Sequence, residues 1–431
     1  MNQKLASILL ASLLLFQFSC VKEKFSQDEI SKTIDYETTI ATPIGYKTTS
    51  FQDIFAENIA SGELTEDEYG LLWFRFNKEF LSLSASDLLD YPVFSDNYSI
   101  VNNTGSALDL NPPETNVIIN QSFYMDFGYS QGTNTEEIDS ILLNNLDLDI
   151  TVILAVPVNA NLKITFPGIT YHGIPYSKDL ILSSTNSFAD LMEYTIHLDN
   201  QTINKNRLQI DFALTLNSSS AVLAVNQNIV DIAIQFSNID FQAVYGYIGQ
   251  HTINSAIEQI MIDLNNSKLK GSFNFDHSSL DIVSENSFGV PFQFNLNNYI
   301  YSSYDSQNQV IEQYQLVANL SDIVAFPGLN QLGDTINDTT AINSGPIKLY
   351  FQDFYSTISG ALNANSNPDG NVDYNFVLKD SKLNLSSQYS VPFWGYTSEV
   401  SMQDTVAFEL RNFFANNFYN ISRLLFVLNF T

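Results

Sequence analysis

The chain has 431 residues, 45% of them hydrophobic and only 15% charged, with 18 Lys plus Arg against 47 Asp plus Glu and a net charge of −29. That imbalance repels phosphate backbones and excludes nucleic acid as a partner; anionic lipid headgroups become approachable only through a separate anchor. The apolar content suffices for well-formed cores, and the surface must be built mostly from Asn, Ser, Thr and Gln.

The first predicted element is an export signal. Lys4 supplies the positive start, and the apolar run from Leu5 to Phe16 is too short to cross a bilayer, which takes about 20 residues. Ser19 is the small residue expected before a cut, and Cys20, the only cysteine of the chain, would open the mature protein. These residues resemble the lipobox of bacterial lipoproteins, with Gln17 and Phe18 standing where Leu and a small residue are usual. The resemblance covers about the first 20 residues and implies a diacylglycerol on the Cys20 sulfur. Val21, not Asp, follows the cysteine, which favours the outer membrane. A mature chain with one cysteine has no internal disulfide, so stability rests on the core. Residues 1–19 thus read as signal peptide, and residues 20–49, charged and Thr-rich, as a flexible stalk.

Next comes a small mixed segment over residues 50–112. Phe51, Ile54, Phe55 and Ile59 share a helical face, with Ser50 and Asp53 as a capping pair and Gly62 near the end. Beyond it the dominant signal is period-two alternation, the mark of half-buried strands. Leu146–Leu154, Leu208–Leu216 and Ser272–Phe275 alternate, and Val372–Leu378 does so after the turn sequence Asn367-Pro-Asp-Gly370. Ile253, Ala256, Ile257, Ile260, Met261 and Leu264 predict a second helix, although Ile260, Ile262 and Leu264 also alternate. A third helix is expected over Leu410–Ile421, before a final strand in which Leu424, Phe426, Leu428 and Phe430 alternate.

Prolines in Val156-Pro-Val158, Val290-Pro-Phe292 and Val391-Pro-Phe393 belong at strand starts, edges or bulges, since proline cannot donate to a ladder. Ser279-Leu-Asp-Ile-Val and Lys382-Leu-Asn-Leu-Ser each lead into a Val-Pro-Phe, which either duplication or coincidence in a β-rich chain explains. The predicted fold is all-β: tandem antiparallel β-sandwich (Ig-like) domains with a few short helices. One sandwich spans 113–252 and a second, which duplication would make a related repeat, spans 253–431, with the boundary near Gly249–Ser255.

The sequence offers no catalytic residue and no cofactor or metal site. Gly128-Tyr-Ser-Gln-Gly132 fits the nucleophile-elbow pattern, but neither the helix nor the parallel sheet which that chemistry needs is present. The four histidines stand far apart, and His197 with Asp199 lacks a third ligand. Asp369 to Asp380 superficially resembles a calcium loop, with Tyr374 where the glycine belongs, and reads better as a hairpin turn. Tyr299, Tyr301 and Tyr304 lie among Asn, Ser and Gln, and Trp394 with Tyr396 flanks a glycine; exposed rings beside amides suit stacking on sugar faces.

Taken whole, the chain resembles large β-rich lipoproteins of Gram-negative bacteria, through its lipobox, Gly70-Leu-Leu-Trp-Phe-Arg-Phe76 and the Val-Pro-Phe strands. The resemblance names no activity. The function expected is that of an exported, non-enzymatic lipoprotein held at the outer membrane through Cys20, facing the surface or the periplasm, and acting in binding, adhesion or scaffolding with a glycan or protein ligand. The alternatives are a carrier for an apolar ligand such as a lipid and, third, a carbohydrate-active enzyme with two facing carboxylates.

Overall fold

A computed structural model describes residues 51–402, apart from 112–115, 129–135, 183–184, 201–204, 218, 256–257, 263, 265–268, 352–353 and 372–373. Cys20 with its signal, the stalk, most of Gly128–Gly132, the expected helix over 410–421 and the final strand over 424–430 lie outside the described residues.

Among the described residues the helices are α1 (Phe51–Ile54), α2 (Ala56–Ala60) and α3 (Ala85–Leu88), and the other regular elements are strands apart from one short 3₁₀ turn. The first strands are β1 (Leu64–Glu66), β2 (Leu72–Ser84), β3 (Phe94–Val101), β4 (Leu108–Asp109), β5 (Val117–Asp126) and β6 (Glu137–Leu154). There follow β7 (Ala160–Tyr171), β8 (Ile174–Leu182), β9 (Thr185–Asp190), β10 (Thr195–His197), β11 (Arg207–Leu216), β12 (Val222–Leu223) and β13 (Asn228–Tyr247). The next six are β14 (Thr252–Asn254), β15 (Glu258–Ile262), β16 (Leu269–Phe275), β17 (Ser279–Asn286), β18 (Phe292–Asp305) and β19 (Val310–Val324). The last are β20 (Ile336–Asn343), β21 (Ile347–Phe351), β22 (Phe354–Ser366), β23 (Asn375–Leu378), β24 (Lys382–Pro392) and β25 (Gly395–Met402).

The chain is nearly all β, and every strand pair in its sheets is antiparallel. The largest sheet runs β23-β13-β6-β10-β7-β11-β5, with β3 added to β13, β9 to β6 and β8 to β7. Rings carried by its two ends meet in the core: Tyr98 of β3 packs on Phe123 and Phe212 at 5.2 and 5.7 Å, and Phe166 of β7 meets Phe236 of β13 at 5.8 Å. A second sheet runs β1-β2-β24-β17-β20, a third β14-β22-β18-β19 with β15 also on β22, and a fourth β21-β16-β25. Phe80 of β2 reaches Tyr299 of β18 at 5.9 Å, joining the second sheet to the third. At the fourth sheet Phe55, Phe74, Phe273, Phe275 and Phe393 form one ring cluster, with Phe55 on Phe74 at 5.5 Å and Phe273 on Phe393 at 5.1 Å. Such edge-to-face and tilted pairs each add about 0.5–1.5 kcal/mol beyond the area they bury.

Strands from the three segments 50–112, 113–252 and 253–431 share sheets: β2 pairs with β24, β3 with β13, and β13 with β23. The similar segments at Ser279 and Lys382 are direct neighbours, β17 and β24, paired from Ser279↔Ser390 to Asn286↔Leu383. Pro291 precedes β18, Pro392 ends β24, and Pro167 sits beside the register shift of β7 between Phe166 and Thr170, so none interrupts a regular ladder.

The helix expected over 253–264 is corrected. Residues 252–254 and 258–262 are strands β14 and β15, both paired with β22. Period two decides the conformation: Ile260, Ile262 and Leu264 are buried while Met261 between them is 59% exposed, and a helix would have turned Met261 to the same side as Leu264. The helix expected around Phe51–Ile59 is present as α1 and α2, with Phe55 buried between them.

Tyr299 owes its place to a glycine. A Cβ on Gly360, in the neighbouring strand β22, would lie 2.0 Å from Tyr299 Cδ2, so the ring occupies the space a side chain would take. Gly360→Ala is therefore expected to cost about 1–3 kcal/mol through overpacking, read as a lowered urea midpoint with an unchanged slope.

Candidate functional site

The exposed rings named from sequence meet the structure at the corner between β24 and β25. The Phe393 amide donates to Leu72 O at 2.7 Å, the Trp394 amide folds back on Pro392 O at 2.6 Å, and Trp394 O accepts from the Asp276 amide at 3.1 Å. Gly395 is obligatory: a Cβ there would lie 1.9 Å from Asn274 O, so only glycine lets β25 close on β16. Tyr396 then stands opposite Asn274, which stands opposite Lys348 of β21, and the register shifts between Ser272 and Asn274. Such a bulge re-aims side chains at a sheet rim. Trp394 is 63% and Tyr396 65% exposed.

A third ring was not legible from periodicity. Tyr69 is 86% exposed on the loop between β1 and β2, and one carboxylate shapes that loop. Asp67 Oδ1 accepts from the amides of Tyr69 and Leu71, both at 2.9 Å, and Oδ2 accepts from Trp73 Nε1 at 3.0 Å. The Trp73 hydrogen bond first, then the Leu71 amide, holds this carboxyl below the ordinary aspartate range. Tyr69 lies three residues before Leu72, whose carbonyl takes the Phe393 amide, so the loop that carries Tyr69 and the corner that carries Trp394 stand at the same end of β2.

Tyr299 and Tyr301 are corrected as contact residues, since both are fully buried. Alternation from Phe292, Phe294 and Leu296, all buried, would send 299 and 301 outward. Asn298 adopts φ 52° and the register shifts between Asn297 and Ile300, so the strand changes face and the two tyrosines turn in. The Tyr301 hydroxyl then joins Ser303, Ser356 and the Lys348 carbonyl. Tyr304, half-buried past the bulge, stacks on Tyr355 with ring centres 4.9 Å apart.

Other sequence candidates resolve into structural roles. Asn367-Pro-Asp-Gly370 is a turn closed by the Gly370 amide on Asn367 O at 2.9 Å, but the expected hairpin is corrected: β22 before it and β23 after it belong to different sheets, and Asn371 Nδ2 donates to Glu137 at 3.2 Å. His197 is exposed on β10, and Asp199 bridges to Arg207 through its backbone. Among the described residues no three His, Cys, Asp or Glu side chains converge as metal ligands.

No family model matches this chain, and no curated protein is similar to it. Among solved structures it is similar to a protein of Parabacteroides distasonis proposed to be secreted, at 10% identity, 79% of this chain, 95% of that one and a TM-score of 0.21. A peptide-N(4)-(N-acetyl-β-D-glucosaminyl)asparagine amidase matches at 8% identity over 72% of this chain and 100% of that one, with a TM-score of 0.17. A Penaeus vannamei nodavirus structure matches at 11% identity over 71% and 99%, with a TM-score of 0.19. Superpositions this loose carry no functional argument.

A buried polar cluster escaped sequence reading altogether. Glu136 is 4% exposed, its Oε1 lies 3.6 Å from His251 Nε2, and that nitrogen lies 2.9 Å from Ile248 O. The Tyr91 hydroxyl is buried with no hydrogen-bond partner, and its titration is raised by burial first and by Glu136 second. Asn206 fixes the backbone here, donating to Glu136 O at 2.8 Å and accepting from the Ile138 amide at 2.7 Å. Parity was the available signal: Glu136 precedes the buried Ile138 by two residues and shares its face.

Burial pushes the Glu136 carboxyl up to about 8. In the unfolded chain it titrates near 4.3, so between those values the folded state holds a proton that the unfolded state has lost. Stability is thus lost as pH rises through that window. Glu136→Gln is expected to melt like the wild type near pH 4, to melt higher by a margin that grows from about pH 4.5 to 8, and to keep that margin above it. Thermal melts across pH 4–9 read the gap directly.

Proposed function

We propose that this chain is a lipid-anchored, non-enzymatic binding protein of the outer membrane, tethered by Cys20 and presenting a β-rich body for adhesion or scaffolding. The reading as antiparallel β-sandwiches is supported by rings that meet across strands not paired with each other: Tyr98 of β3 on Phe123 and Phe212, Phe166 of β7 on Phe236 of β13, and Phe80 of β2 on Tyr299 of β18. The observation that carries the binding role is the corner at β24–β25, where Trp394 and Tyr396 stand exposed on a backbone that Gly395 locks in place. Large rings fixed on rigid strand ends, rather than folded into the core, are the groups that dominate binding energy at recognition surfaces.

An apolar-ligand carrier has less support. Large side chains such as Tyr299, Tyr301 and Tyr389 are fully buried, and Phe80 packs on Tyr299 as Phe55 does on Phe393, which favours packed cores in this reading. No helix among the described residues is long and apolar enough to cross a membrane.

Two measurements test it. Cells fed an alkyne fatty acid should label the wild type and not Cys20→Ala, and the variant should move from the detergent to the aqueous phase on phase partition. A labelled Cys20→Ala protein overturns the anchor. Protease added to intact cells, with a periplasmic control that survives, then assigns the body to the surface if the full-length band is lost or to the periplasm if it persists.

A further inference from the structure

We propose that the corner formed by Tyr69, Trp394 and Tyr396 binds an uncharged polysaccharide chain; this rests on the binding role above and names its ligand class. Several observations converge on that chemistry. All three rings are largely exposed, at 86, 63 and 65%, whereas most aromatic side chains of the described strands are buried or half-buried. Trp394 and Tyr396 flank Gly395, so one short stretch of backbone carries both rings. Tyr69 joins them at the same end of β2, because Leu72, which closes its loop, accepts the Phe393 amide.

The surroundings select among ligands. A pyranose presents a C–H face that packs on an aromatic ring and a rim of hydroxyls that needs hydrogen-bond partners. Those partners are at hand: Asn274 stands opposite Tyr396, and Asp276, His277 and Thr397 are exposed beside the same backbone. Glu66 and Glu68 flank the Tyr69 loop and are exposed, and the whole chain carries −29. An anionic polymer is therefore repelled, and an apolar ligand would bury these polar groups without partners. An uncharged chain of sugars satisfies both conditions.

The site is also held ready. Asp67 fixes the Tyr69 and Leu71 amides, the amide and carbonyl of Trp394 are both engaged by backbone, and Gly395 lets β25 close on Asn274. Ligand binding then costs little ordering of the backbone, which is how modest rings reach useful affinity.

Native gels containing mannan, xylan, mixed-linkage β-glucan or galactan, with alginate as the anionic comparison, test the proposal on the full-length protein in detergent. At least one neutral polymer should retard the wild type, equally in 50 and 500 mM salt, and alginate should not. Trp394→Ala should weaken retardation about tenfold or more, Tyr69→Ala and Tyr396→Ala severalfold each, and Trp394→Phe should retain most of it. Thermal melts of all four variants should match the wild type, because none of these side chains is buried. No retardation by any neutral polymer, retardation that survives the triple alanine variant, or preference for alginate overturns it. Failure here with fatty-acid labelling at Cys20 intact rejects the glycan and leaves the anchored protein standing.

Discussion

The pleat of the β-strand governs this molecule: successive side chains point to opposite faces, and an irregularity in the ladder exchanges the faces for everything that follows. In β6 the buried residues run Ile138, then Ile141 and Leu143, then Leu146 through Val152, changing parity twice. Its partner β13 does the same, from Ile232, Ile234 and Phe236 to Phe241 and Ala243 and back to Val244, and the pairing shifts register between Ser237 and Ala243. Asn238, at φ 50°, stands at that shift, as Asn298 stands at the one in β18. Asparagine tolerates this left-handed conformation better than most side chains, and an Asn-rich chain can place such breaks wherever a long strand must change the core it faces.

The same device separates core rings from surface rings. Tyr299 and Tyr301 are turned inward by a bulge, with room for the Tyr299 ring left by Gly360, while the bulge between Ser272 and Asn274 lies beside the exposed Tyr396. Two glycines therefore do opposite jobs. Gly360 yields room to a ring inside the fold, and Gly395 brings two backbones together so that the rings on either side of it stay outside.

Charge is handled by the same division of faces. With 18 basic against 47 acidic residues, most carboxylates must be solvated, and Asp147, Asp149 and Asp231 alternate outward from buried Leu148, Ile150 and Ile232. Glu136 is the departure: it sits on the inward face near His251 and Tyr91, where its charge is costly and its proton is retained. Asp67 shows the contrary case, a carboxylate whose three hydrogen-bond donors favour the charged form and whose bonds shape the loop that presents Tyr69.

The sequence by itself determined the β class, the strands around Leu146, Leu208 and Ser272, the helical turns near Phe51 and the turn at Asn367–Gly370. These are local properties, fixed by period, turn residues and proline. Only the tertiary structure decided that Tyr299 and Tyr301 are core, that residues 252–262 are strands on β22, and that β2 lies beside β24 more than 300 residues away in the chain. Each of those depends on register: where a bulge falls and which distant strand supplies the ladder. A period-two pattern is the same whichever face it offers and whichever partner it meets, so the sequence carries the alternation and the fold assigns its sides.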